Sequence, residues 1–159
     1  MIDELARAQR LLIGHGALVL MFGFVVGFAF LFFLIGEIRL WPFPGAIAYQ
    51  LPGTYDSWRM AHMEGITNGL LLWILAAIVP IIHTRVIPIY RLAAAMVIVA
   101  WTIVIASVMD PIFPDARGLI FNADSSIANG IAFFLFYVGI VISCVVVITV
   151  ALKFLRAPR

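Results

Sequence analysis

Four long stretches of the chain contain no aspartate, glutamate, lysine or arginine, and the charged residues lie in the segments around them. The stretches are Leu11–Gly36, Gly65–Thr84, Leu92–Met109 and Ser125–Leu152. Each is about long enough to cross a hydrocarbon core of ~30 Å as a helix rising ~1.5 Å per residue. Helices satisfy their own backbone hydrogen bonds in lipid, and the alternating pattern of barrel strands is not seen. The pattern predicts four transmembrane helices, at about residues 11–36, 62–84, 90–109 and 126–153.

The composition leaves no room for a second, water-soluble domain. Hydrophobic residues make up 65% of the 159 positions, so we expect a single all-α membrane domain, a four-helix bundle over residues 1–159. The single cysteine, Cys144, lies within the fourth stretch. A lone cysteine there excludes a disulfide framework and a thiolate metal cluster, and is typical of a small apolar packing residue.

The charges are divided unequally between the two sides that four spans define. The side with both termini and the second connection carries seven basic and two acidic residues, a net charge of +5. The other side carries three basic and six acidic residues, a net charge of −3. Because positive residues stay in the cytoplasm, both termini are predicted to be cytoplasmic. The basic residues thus report orientation, and we expect no nucleic-acid partner.

Two connections lie on the side opposite the termini. The first, Glu37–Trp58, holds Pro42, Pro44 and Pro52 among several aromatic residues, so it is too interrupted to span the membrane. Because aromatic side chains favour the membrane interface, we expect it to lie flat on the mouth of the bundle as a lid. The second, Asp110–Asp124, reaches the same mouth.

The densest cluster of polar residues lies at the entrance to the second span. On a helix, His62, Gly65, Ile66 and Gly69 share one face. A histidine followed by two glycines on its own face predicts a shelf for a flat ligand, such as a porphyrin whose iron the histidine holds. Asn68 lies deeper, and a buried amide must be hydrogen-bonded, so it either joins helices or contacts a substrate.

Less specific interpretations of the same residues stay open. His62 is equally typical of an interfacial histidine, and Gly65 and Gly69 of a helix-contact pair. The same packing role is favoured for the glycines at positions 16, 23 and 27 of the first span. His15 and His83 form a rival pair that would clamp a haem from two sides.

Three charged residues on the side opposite the termini have two interpretations each. Arg59 and Arg117 would meet haem propionates or anchor the chain at the interface. Glu64 is an interfacial carboxylate or a catalytic acid or base. No phosphate-binding loop, zinc-protease motif, nucleophile elbow or carboxylate pair within a span is found in the sequence.

These residues resemble the styrene oxide isomerases, which are small four-span bacterial membrane enzymes. The matching positions are Gly14-His15-Gly16, Pro52-Gly53, Trp58, Ala61-His62, Asn68-Gly69, Trp101 and Arg117-Gly118-Leu119-x-Phe121. The string from Ala61 to Gly69 is also similar to the hydroxylaminobenzene mutases. The resemblance covers about Leu11–Phe121, and the fourth span matches only in being apolar.

The resemblance implies a homotrimer in the bacterial inner membrane that holds haem b between its subunits. It implies that His62 is the axial ligand, that Asn68 holds the substrate oxygen, and that aryl epoxides become aldehydes without net redox change. Ferric iron with one histidine keeps a site open as a Lewis acid, and a cation in the substrate survives only where water is excluded. The family's third-span tyrosine and asparagine are replaced, because Ile103 and Ala106 or Ser107 stand there.

Three hypotheses of different classes follow. The first is a haem b-dependent isomerase of a small apolar aromatic substrate, with His62 as metal ligand, Asn68 as catalytic residue, and Gly65, Gly69 and Arg59 beside the cofactor. A variant of it rearranges a hydroxylamine instead of an epoxide. The second is a haem b electron-transfer subunit that uses two histidines. The third is a membrane anchor or assembly partner without catalysis.

Overall fold

The computed structural model describes residues 2–83 and 88–156, and these form four long helices. They are α1 (Ile2–Ile35), α2 (Tyr55–His83), α3 (Ile89–Ile112) and α4 (Ile127–Leu155). All four are long and apolar enough to cross a membrane. The predicted all-α fold with four spans is therefore confirmed, while the side on which the termini lie stays a prediction. Arg85 and Arg159, which contribute to that prediction, lie outside the described residues.

The helices extend beyond the charge-free stretches because polar turns continue them outside the apolar core. α1 begins nine residues before the predicted span, with Asp3 and Glu4 in its first turn, where acidic side chains suit the positive end of the helix dipole. α2 begins at Tyr55 because Thr54 and Ser57 cap it reciprocally. The Ser57 amide donates to Thr54 Oγ1 at 3.2 Å, and the Thr54 amide donates to Ser57 Oγ at 3.0 Å.

The helices α1 and α2 make the most extensive contact, and α3 packs against both. Small residues allow the close approach of α1 and α2. A methyl group added at Gly65 would lie 2.5 Å from the Cα of Gly23, and one added at Gly16 would lie 3.1 Å from the carbonyl oxygen of Gly69. The glycines on the first span thus pack helices, as predicted. α4 contacts mainly α3, so it lies beside a three-helix group rather than closing a symmetrical bundle.

The first connection contains a hairpin that the sequence pattern does not predict. Glu37–Ile38 and Ile47–Ala48 pair as an antiparallel hairpin, β1 and β2. Residues 41–50 are all exposed, and the side chain of Trp41 is 92% exposed. The strands satisfy each other's backbone groups, and Arg39, Leu40 and Trp41 line a pocket together with residues of α1. That the connection lies flat on the mouth of the bundle stays a prediction.

The end of this connection is fixed to the helices by a hydrogen bond and a close backbone contact. Gln50 Nε2 donates to the carbonyl oxygen of Phe33 at 3.1 Å. Gly53 has φ +97° and lies so close to α3 that an added methyl group would be 2.8 Å from the Cα of Pro111. The positive φ and the close approach both require glycine. The chain thereby enters α2 directly beside the end of α3.

A buried amide holds the second connection. Asn129 accepts a hydrogen bond from the Gly118 amide through Oδ1 at 2.8 Å and donates to the carbonyl oxygen of Ile120 through Nδ2 at 2.7 Å. Asn129 lies in the first turn of α4, and its own amide donates to Ser126, the N-cap residue. This amide therefore fixes the loop between α3 and α4 at the same end of the molecule as Gly53.

Candidate functional site

His62 lies at the end of the glycine contact between α1 and α2. There its imidazole packs against Gly27 of α1, whereas Gly16 and Gly23 of α1 pack against the backbone of α2. A methyl group added at Gly27 would lie 2.8 Å from both Cε1 and Nδ1 of the ring. The ring therefore rests directly on the backbone of α1 and is only partly buried. The absence of a side chain at position 27 is what admits it.

The hydrogen bonding of His62 fixes which ring nitrogen is free. Nδ1 lies 2.9 Å from the carbonyl oxygen of Gly23. A carbonyl oxygen only accepts, so Nδ1 carries the proton and Nε2 of the neutral ring keeps its lone pair. Within residues 2–83 and 88–156, Nε2 makes no hydrogen bond. A backbone carbonyl that holds one ring N–H is the usual partner of an imidazole that binds a metal through the other nitrogen.

The shelf that the sequence predicts beside Gly65 and Gly69 is filled by α1. Gly65 faces the backbone of Gly23, and a methyl group added at Gly69 would lie 2.6 Å from Cγ of Leu20. Periodicity correctly placed both glycines on the face of His62, but that face packs against another helix. The structure therefore assigns them to helix contact, and they leave no open surface for a flat ligand.

Asn68 and Glu64 form a hydrogen-bonded pair one turn apart on α2. Nδ2 of Asn68 donates to Glu64 Oε2 at 2.8 Å and to the carbonyl oxygen of Glu64 at 3.0 Å. Asn68 is 6% exposed and Glu64 is partly buried. Both partners are acceptors, so Nδ2 is the atom that points toward Glu64, and Oδ1 accepts no hydrogen bond from the described residues.

His15 is bonded in the opposite sense to His62. The Trp101 indole donates to His15 Nδ1 at 3.1 Å, with the two rings edge to face. In the neutral ring the proton therefore lies on Nε2, so neither nitrogen offers a free lone pair to a metal. The side chain of the other predicted partner, His83, lies outside the described part of the chain. This bonding favours His62 over His15 as a ligand.

The predicted arginines are at the periphery of the site. Arg59 precedes His62 by three residues on α2, and its Nη2 lies 3.8 Å from Asp56 Oδ1, with both side chains mostly exposed. Arg117 is also exposed. Exposed ion pairs of this kind hold their partners weakly, so Arg59 is available to another anion.

The third-span positions at which the resemblance implies a tyrosine and an asparagine have different surroundings. Ile103 faces α4, because a methyl group added at Gly139 would lie 2.9 Å from its Cγ1. Ala106 and Ser107 are completely buried, and Ser107 Oγ is a buried polar side-chain atom without a hydrogen-bond partner among the described residues. Among those residues, no group of three His, Cys, Asp or Glu side chains forms a multidentate metal site. A metal at His62 would accordingly have one protein ligand from this chain.

Sequence reasoning missed the partners of His62. Gly23 and Gly27 were noted only as packing residues, although their spacing of four residues on α1 is what supplies a carbonyl and an open face to one imidazole. The sequence shows the spacing of these glycines, but it does not show that they face α2.

Comparison with known proteins identifies the family of the chain. A family model described as styrene oxide isomerase matches residues 8–155, nearly the whole chain. The match extends through α4, beyond the motifs that carry the resemblance in the sequence. No curated protein matches the chain.

Proposed function

Because the chain belongs to the styrene oxide isomerase family, we propose that it is a haem b-dependent isomerase that converts a small apolar aromatic epoxide into an aldehyde inside the membrane. Membership supports the isomerase function, and the four apolar helices make the chain a multi-pass membrane protein. The observation that carries the haem proposal is the imidazole of His62, whose Nδ1 is held by Gly23 and whose Nε2 is free.

The residues at this position fit a single-ligand haem. Nε2 of His62 would bind the iron, and the Gly23 carbonyl would fix the ring's tautomer and raise the basicity of Nε2. When bound, haem held by one imidazole supplies an open coordination position that acts as a Lewis acid toward an ether oxygen. Arg59 is the nearest cation along α2 and would pair with a propionate.

The homotrimer that the family implies is part of the proposal. Two phenylalanines that flank the His62 partners on α1, Phe24 and Phe28, are 57% and 62% exposed. α4 has neighbours mainly on its α3 side. These apolar faces would be covered by lipid, by the macrocycle or by the neighbouring subunit, so the cofactor would not need a closed cavity within one chain.

The roles of Asn68 and Glu64 follow from their hydrogen bonds. An epoxide oxygen accepts hydrogen bonds, so it must use Nδ2 of Asn68, which here donates to Glu64. We infer that the substrate oxygen displaces the Glu64 carboxylate from Nδ2, while the bond to the Glu64 carbonyl keeps the amide in place. An N–H held in a dry site then stabilises the negative charge that develops on oxygen.

The rearrangement needs no external reagent. The benzylic C–O bond of the epoxide breaks, and a hydride moves from the adjacent carbon to the benzylic carbon while the oxygen becomes the aldehyde carbonyl. Atoms and electrons are conserved, so the site must orient the substrate and exclude water rather than supply an oxidant. Buried Asn68 and the apolar helices around it are suited to that task.

The direct test uses protein purified after haem-replete expression. We expect a Soret band that shifts when styrene oxide is added, and phenylacetaldehyde formed without an added oxidant or reductant. Hydroxylaminobenzene is the second substrate, and its faster conversion to an aminophenol would favour the mutase alternative. A colourless protein, or a coloured one that leaves both substrates unchanged, would contradict the proposal.

Gly27→Ala tests the position of the imidazole without disturbing the helix contact. The three atoms nearest to the added methyl group all belong to the ring of His62, so the ring must move and the bond to Gly23 is lost. Losing the partner of a ligating histidine costs about 10–100-fold in affinity or activity. We expect haem to dissociate correspondingly faster, measured by transfer to apomyoglobin, with an unchanged unfolding temperature of the apoprotein. Unchanged haem dissociation would contradict the role of Gly27.

A further inference from the structure

A second feature lies at the other end of α1, far from His62. A groove of about 620 Å³ runs along one face of α1 and is closed on one side by the start of α3. Its lining residues on α1 recur at helical spacing: Arg7, Arg10, Leu11, Gly14, His15 and Leu18. Along the helix, the Arg7 end of the groove lies roughly 24 Å from Gly23, the partner of His62, and the Leu18 end lies roughly 8 Å from it.

The upper part of the groove is positively charged and has no internal counter-ion. Arg7 and Arg10 make no ion pair with any described carboxylate, although Asp3 and Glu4 lie one turn before Arg7. The Arg7 guanidinium lies 5.4 Å from the ring centroid of Tyr90, which holds it in place by a cation–π contact. Tyr90 is the second residue of α3, so the positive end of that helix dipole lies at the same depth as Arg7.

The lower part of the groove is apolar. Leu11 and Leu18 line it, and at Gly14 a methyl group would meet no atom within 4 Å. From Arg7 to Leu18 the groove descends roughly 16 Å, from the polar end of α1 into its transmembrane part. A groove with two cations at the top and an apolar floor is complementary to an amphiphile that carries a negative head group.

We propose that this groove binds one anionic phospholipid, with its phosphate at Arg7 and Arg10 and an acyl chain along Gly14 and Leu18. Basic pockets between transmembrane helices are suited to anionic head groups. A zwitterionic lipid would leave its ammonium group beside two unpaired guanidinium groups, because no carboxylate lines the groove. The lipid would join α1 to α3 at the end of the bundle where α3 begins.

The test measures lipid binding to delipidated, haem-replete protein in detergent, by native mass spectrometry and by the shift in unfolding temperature. The probes are phosphatidylglycerol, phosphatidylcholine and soluble glycerol 3-phosphate. We expect one phosphatidylglycerol per chain, weaker binding of phosphatidylcholine, and no competition by glycerol 3-phosphate. The double variant R7Q/R10Q should bind phosphatidylglycerol roughly 30-fold more weakly, since each basic residue near a membrane contributes about one factor of five.

Two further variants separate a built site from general attraction to basic residues. K153Q/R156Q removes two exposed charges at the end of α4, on the side where α1 begins, and should bind like the wild type. Gly14→Leu places a side chain on the open floor of the groove, where its Cβ meets no atom within 4 Å, and should weaken lipid binding while glycerol 3-phosphate stays without effect. Equal binding of both lipids, equal losses in R7Q/R10Q and K153Q/R156Q, or competition by glycerol 3-phosphate would overturn the proposal.

Discussion

Replacing His62 by alanine is expected to abolish the Soret band of the haem-replete protein and to lower isomerase activity by at least about 100-fold, the upper range for losing only a partner of a ligand. Within the described residues, His62 is the histidine whose structure leaves a ring nitrogen free. No set of neighbouring acidic, thiol or imidazole groups in that part of the chain can take its place. The measurement is an absorption spectrum of the purified variant together with its rate of aldehyde formation.

Free imidazole and a second histidine variant give this experiment its controls. His62→Ala leaves a space beside Gly27, so added imidazole should restore part of the Soret band if the ring serves as a ligand. His15→Ala should keep the band, since His15 Nδ1 is occupied by the Trp101 indole. If His15→Ala lost the band and His62→Ala kept it, the two-histidine electron-transfer hypothesis would be favoured over the isomerase.

The membrane fold was predictable from the sequence because it depends on where charges are absent. In lipid a helix is the simplest way for a segment to satisfy its backbone, so the four stretches without charge determine the four spans. Their ends were less predictable. The helical turns of α1 around Arg7 lie outside the apolar stretch, and the caps at Thr54 and Ser57 depend on local hydrogen bonds that charge patterning does not report.

The surroundings of the candidate residues were less predictable than their clustering. Polar groups are costly in lipid, so a cluster of them in an apolar chain draws attention to His62 and Asn68, and their roles stay predictions. Helical spacing determines which residues share a face, and it does not say what that face contacts. Gly65 and Gly69 therefore looked like an open shelf, whereas the backbone of α1 occupies their surface.

Asn129 shows a further limit of sequence patterns. An asparagine at the start of the fourth span is polar and near the membrane surface, so the sequence does not predict that it is buried. Its role depends on two backbone groups of the preceding loop, Gly118 and Ile120, which come within hydrogen-bond reach only after α3 and α4 pack. Since Asn68 and Asn129 are both buried amides, burial alone does not identify a functional amide.

Replacing Asn68 by alanine is expected to lower kcat for styrene oxide by about 10²–10³-fold, the usual cost of removing one donor to a developing negative charge. The position and intensity of the Soret band should stay the same, because Asn68 does not touch His62 through any hydrogen bond of the described residues. Asn68→Asp keeps the shape but removes the N–H donors beside Glu64, so it should lose as much as alanine. Steady-state kinetics with spectra of the same samples measure both effects.

The matched control is Asn129→Ala, which removes a buried amide of the same size at the start of α4. It leaves the Gly118 N–H and the Ile120 carbonyl without their partner, so it should lower stability by about 1–3 kcal/mol and leave kcat nearly unchanged. Asn68→Ala is expected to show the reverse, because Asn68 bonds only to Glu64, whose carboxylate is partly exposed and can be solvated. If Asn68→Ala lowered the unfolding temperature and turned over substrate at the wild-type rate, its amide would serve the helix alone. That result would contradict the proposal that Nδ2 of Asn68 exchanges its hydrogen bond with Glu64 for one with the substrate oxygen.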